Sequence, residues 1–64
     1  QNIPDELKAE IPTVAENAKG KNSEGLSNAI KAGLSRASAS TGNNYNNKIV
    51  DKFESLVKDE LKDS

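Results

Sequence analysis

The groups in this chain that could do chemistry are carboxylates and amines. Asp5-Glu6 and Asp59-Glu60 stand as adjacent acid pairs, and the sequence holds neither His nor Cys. Without those two residue types, no Ser–His or Cys–His nucleophile pair can form within the chain. Two carboxylates can act as general acid and base only if both reach the reacting atoms. Neighbouring positions on a helix point about 100° apart, so neither pair converges on one substrate atom. They read as a solvated helix start and a solvated helix surface. A metal would find only oxygen ligands, which are poor company for zinc. No window carries the alternating oxygens and closing Glu of a Ca²⁺ loop. The expectation is a non-enzymatic protein with no cofactor, no metal site and no small-molecule substrate.

Three short matches have plainer readings. Gly20-Lys21 followed by Gly25 suggests a phosphate loop. The Gly-Lys-Ser/Thr ending is missing, and so is the strand that precedes such loops, which leaves an interhelix turn. Lys58-Asp59-Glu60-Leu61 spells an endoplasmic-reticulum retention signal, but Lys62-Asp63-Ser64 follows it. Such signals are read at the chain terminus. Arg36-Ala37-Ser38 is a basophilic phosphorylation context of the kind that Ser-rich helix ends often produce. No Asn-x-Ser/Thr acceptor occurs.

Charge and composition narrow the partners. Net charge is −1 over 64 residues, with both signs mixed along the chain. A nucleic-acid surface needs a clustered basic face, so none is expected. No apolar run approaches the roughly 18–20 residues of a membrane span. The lack of Cys removes any disulfide framework. Gln1 stands where a start Met would, which points to a removed leader or an excised piece and inclines the expectation toward a secreted or extracellular protein. A chain this short buries a smaller share of its surface than larger domains do, so it is expected to be marginal alone or completed by a partner.

The elements that would position these residues are helices. Ile3, Leu7 and Ile11 recur at i, i+4 and i+8, and Val14, Ala15 and Ala18 continue the stripe. Pro4 suits a first helical position, and Asp5 and Glu6 suit the positive end of the helix dipole. Pro12 removes a backbone donor and disfavours helix at Ile11, so helix 4–19 is expected to kink or split there. Gly20 is a natural stop. Asn22 or Ser23 can cap a second helix over residues 24–39. Its stripe of Leu26, Ala29, Ile30, Gly33, Leu34 and Ala37 is small in volume. Residues 38–47, rich in Ser, Thr and Asn, read as a linker, because these side chains compete with the helix for backbone groups. Asn43, Asn44, Asn46 and Asn47 are candidate caps for the third helix, over 47–62. There Ile49, Val50, Phe53, Leu56, Val57 and Leu61 make the strongest amphipathic stripe, and this helix is expected to be the one on which the others pack.

The fold expected is an all-α single domain, a small three-helix bundle whose short loops make neighbouring helices antiparallel. The core is expected from Leu7, Ile11, Val14, Leu26, Ile30, Leu34, Ile49, Val50, Phe53, Leu56, Val57 and Leu61. The apolar faces are the only signal with a mechanism attached. The functional expectation is a protein-binding helical module, with a protein partner or self-association. Ala29, Gly33 and Ala37 would admit a close helix, or Phe53 and Leu56 would enter a partner's groove. The alternative is an amphipathic peptide acting on a lipid surface. It is not favoured, because the polar face of 47–62 mixes Asp51, Glu54 and Asp59 with its lysines.

Overall fold

A computed structural model describes residues 2–63. The chain forms three helices: α1 (Asp5–Ala18), α2 (Ser23–Thr41) and α3 (Asn47–Lys62). The longest dimension is 31 Å. That is close to the length of α2 alone, about 28 Å at a 1.5 Å rise per residue, so the helices lie side by side rather than end to end. Glu10 meets Arg36 and Val14 meets Gly33. Rising numbers in α1 therefore face falling numbers in α2, and the pair is antiparallel.

Each boundary has a local cause. Pro4 sits at the N-cap rather than inside the first turn, and its carbonyl accepts from the N–H groups of Leu7 and Lys8 at 3.0 and 3.1 Å. The α1 helix is continuous through Pro12, so of the two outcomes expected there, a kink or a split, the split does not occur. Ile11, Val14, Ala15 and Ala18 continue the stripe of Leu7 across the proline, and packing of that face outweighs one absent donor. Gly20, at φ 76°, turns the chain toward α2. Asn22 caps α2 through its side-chain oxygen, which accepts from Gly25 N–H at 2.9 Å. Asn46 does the same for α3, accepting from Ile49 N–H at 2.9 Å.

The second helix outruns its expected end at 39 and takes residues 40 and 41 from the linker. The hydroxyls of Ser40 and Thr41 both donate to the Ala37 carbonyl, at 3.1 and 2.8 Å. Folded back in this way, they brace the last turn instead of competing with it. Gly42 then adopts φ 76° and donates its N–H to the Ser38 carbonyl at 2.7 Å, which closes the helix.

The hub is α1, not α3. It packs along both partners, whereas α2 and α3 meet at few positions. Leu7 and Val14 of α1 and Phe53 and Val57 of α3 are fully buried. Ile30 is buried with them, while Ile11, Leu26, Leu34, Ile49, Leu56 and Leu61 are half-buried around the cluster. Val50 departs from the expected core: it is half-buried and stands outside the cluster. Ile3, Ala15, Ala18, Ala29 and Ala37 join the core instead. Weighting by side-chain volume hides the four alanines, because at a close helix interface small side chains bury almost completely; Ile3 lies just before α1 and folds onto the core from there.

Gly33 shows how close that interface is. A methyl group built on it would lie 2.3 Å from Val14 Cγ2 and 3.5 Å from Phe53 Cζ. All three helices therefore converge on one hydrogen-sized position. Gly→Ala inside a helix ordinarily stabilises by about 1 kcal/mol. Here overpacking, at about 1–3 kcal/mol, is expected to prevail. Gly33→Ala should lower the thermal midpoint read by circular dichroism, and Gly33→Leu should abolish the cooperative melt. Pro12→Ala should act in the opposite direction. Pro12 is exposed, and alanine restores a donor for the Lys8 carbonyl. A gain of about 1–3 kcal/mol in urea unfolding is expected.

Candidate functional site

The five residues singled out for partner contact are placed very unequally. Ala29, Gly33, Ala37 and Phe53 are buried in the domain's own core. At the middle of the small stripe of α2, Val14 of α1 stands against Gly33, and the Phe53 ring reaches the same glycine. Within the chain these four are therefore already engaged. Leu56 differs: it is half-buried and packs at the edge of the core. Among the described residues no large apolar side chain is fully exposed.

The structure assembles a polar seam that the sequence reading did not single out. Glu6 and Glu10 lie four residues apart on α1, half-buried beside its apolar stripe. Glu10 faces α2, where Arg36 Nε and Nη2 both donate to its Oε1, at 3.0 and 2.8 Å. The pair is open to solvent, with the Arg36 side chain 43% exposed, so its contribution is about 0–1 kcal/mol. Glu6 faces the 42–46 connection. Its Oε2 accepts from the Tyr45 hydroxyl at 2.7 Å and from Asn43 Nδ2 at 3.1 Å.

These contacts shift both titrating partners. The Tyr45 hydroxyl, and after it the Asn43 amide, hold the Glu6 carboxyl below its ordinary 4.5. Loss of hydration, and then the bond to Glu6, push the Tyr45 phenol above its ordinary 10.0. A donor to a carboxylate favours the carboxylate's charge, and the same bond disfavours loss of the donor's proton. The only available signal in the sequence was Tyr45, an aromatic residue inside an Asn-rich stretch. Its partner lies 39 positions away.

The other sequence matches occupy structural positions. Gly20 and Lys21 form the α1–α2 turn, with Lys21 N–H donating to the Ala18 carbonyl at 3.0 Å. Leu61 packs on the core. Arg36 engages Glu10, and Ser38 is half-buried. Among the described residues no three acids cluster as metal ligands, and no cavity opens.

Comparison with protein families, with characterised proteins and with solved structures returns no match.

The Tyr45 shift predicts behaviour in alkali. A phenol raised in the folded state adds stability that is complete below the unfolded value, near 10.0, and disappears as pH rises through the higher folded value. An ultraviolet titration of tyrosinate should therefore show a midpoint above 10.0 in the native protein. Glu6→Gln should bring that midpoint down part of the way, because the loss of hydration stays.

Proposed function

We propose that this chain is a non-enzymatic, protein-binding helical module. The observation that carries the reading is the internal use of its apolar faces: Leu7, Val14, Phe53 and Val57 are fully buried against one another. A domain that satisfies its own core presents a set surface of polar and short side chains, with little ordering left to do on association. That surface is laced across the helices by Glu10–Arg36 and by Glu6 with Asn43 and Tyr45. Acids and bases are mixed along the chain, with a net charge of −1, which suits a protein partner of mixed charge better than nucleic acid.

Of the five residues picked out in the sequence, Leu56 is the one that remains available at the surface. It sits on α3 at the core's edge, where a partner can extend the apolar contact. Ala29, Gly33, Ala37 and Phe53 serve the interface from behind, by setting how closely the helices stand. The lipid-surface alternative needs the apolar faces to come apart, since α3 would have to release Phe53 and Val57 before it could enter a membrane interface.

The test pairs a binding readout with a folding readout. The tagged domain is incubated with fluid or lysate from its own source, and retained proteins are identified beside sedimentation for self-association. Leu56→Glu should keep the helical signal and lose the specific partner. Phe53→Ala should lose both, because removing a fully buried ring costs about 3–5 kcal/mol. An identical set of retained proteins for the wild type and Leu56→Glu would refute Leu56 as the contact. The absence of any specific partner or self-association would refute the module. Full helicity in plain buffer and an unchanged spectrum with anionic vesicles should accompany the expected result.

A further inference from the structure

Beyond the bond from Asn43 N–H to Thr41 Oγ1 at 3.2 Å, the 42–46 connection is held by three devices. Gly42 closes α2 in the left-handed conformation, and Asn46 caps α3. Both act within the chain segment they terminate. The third device alone reaches across to α1: Asn43 Nδ2 and Tyr45 Oη both donate to Glu6 Oε2. Because α2 and α3 touch sparingly, the entry to α3 is held in place through α1. Tyr45 also lays its ring against the core.

We propose that Glu6 is an acid-releasable latch: as a carboxylate it clamps the α2–α3 connection onto α1, and its protonation frees that connection while the three helices stay folded. The chemistry lies in the acceptor. A carboxylate oxygen readily accepts two donors, and bonds to an ionised acceptor are roughly twice as strong as neutral ones. A protonated carboxyl carries a donor of its own and accepts less strongly.

The charged groups around Glu6 leave its protonation to decide the outcome. On α1 its neighbours are Asp5 and Glu10, both acids, and Glu10 is occupied by Arg36 of α2. The connection supplies two neutral donors, Asn43 and Tyr45. Lys48, in the first turn of α3, makes no ion pair with Glu6, and among the described residues no cation lies at ion-pair distance from it. The main core, by contrast, is apolar and contains no titrating group.

The direction follows from Glu6's lowered pKa, whose causes are the two donors themselves. Such a group adds stability above its unfolded value, near 4.5, and loses it as pH falls through the lower folded value. The latch is therefore closed at neutral pH and opens in acid below 4.5. The inference stands apart from the protein-binding reading and can fail without it.

The chain contains its own reporter. Tyr45 is the only tyrosine and there is no tryptophan, so its emission reads the latch alone. A carboxylate bonded to the phenol quenches that emission. Acid titration of the full chain should show Tyr45 emission rising with a midpoint below 4.5. Quenching of Tyr45 by acrylamide should increase in the same step, while far-ultraviolet circular dichroism holds. Glu6→Gln should show the released emission at neutral pH and no such step. Asn43→Ala, which keeps both Glu6 and Tyr45, should move the midpoint upward. Emission changing only together with loss of helicity would overturn the latch, as would an unaltered step in Glu6→Gln. If Glu6→Gln does not fold, Asn43→Ala decides: an unchanged midpoint overturns the proposal and a raised one supports it.

Discussion

The bundle depends on one close approach, that of the Val14 side chain to the backbone of α2 at Gly33, with the Phe53 ring closing the third side. Val14 and Phe53, two of the four fully buried large side chains, meet at that point. A single methyl group would occupy space already filled by Val14, so the helix separation is set by the absence of a side chain. A small separation is what lets a chain with few large apolar residues bury what it has. Ala15 and Ala18 of α1 and Ala29 and Ala37 of α2 contribute little area each, yet all four are buried. Dispersion contacts at such distances recover part of what a larger core would supply by area.

That constraint also explains the hierarchy among the helices. α3 has the most pronounced apolar stripe, which would suit a central role. Yet α3 contributes its bulk through few residues, Phe53 and Val57 being its two buried ones. α1 is the shortest helix and carries a proline, but its buried arc of Leu7, Val14, Ala15 and Ala18 addresses both partners. Centrality follows from how many neighbours a face can reach, and small side chains on α1 let it reach two. Polar contacts then settle on the flank of that arc. Glu10 binds α2 and Glu6 binds the following connection, so among the described residues one edge of α1 carries the side-chain hydrogen bonds to the rest of the chain.

Much of this was legible in the chain. The i, i+4 stripes located three helices, and Asn22 and Asn46 were among the cap residues named for the second and third. Five of the expected core positions, Leu7, Val14, Ile30, Phe53 and Val57, are buried. Elsewhere the reading fell short for physical reasons. Ser40 and Thr41 belong to a helix because their hydroxyls bond back to Ala37, and composition cannot distinguish that from competition with the helix. Val50 has the right residue type for the core, but its place on the flank of α3 leaves it outside the cluster. The Glu6 contacts span 37 and 39 residues of sequence, beyond the reach of any local pattern.

The sequence by itself determined the helices, because periodicity, caps and breakers are local and act within a few residues. It also determined the missing nucleophile pairs, since a chain without His or Cys cannot form them. Only the tertiary structure decided what the faces are used for. Ala29, Gly33, Ala37 and Phe53 have the same spacing whether they meet a partner or their own chain. Their assignment to the core rests on Val14 standing against Gly33, and that contact exists only once the α1–α2 turn has brought residues nineteen positions apart into register. Likewise the acids at 5–6 looked like a solvated helix start until folding set Glu6 under Tyr45 and Asn43.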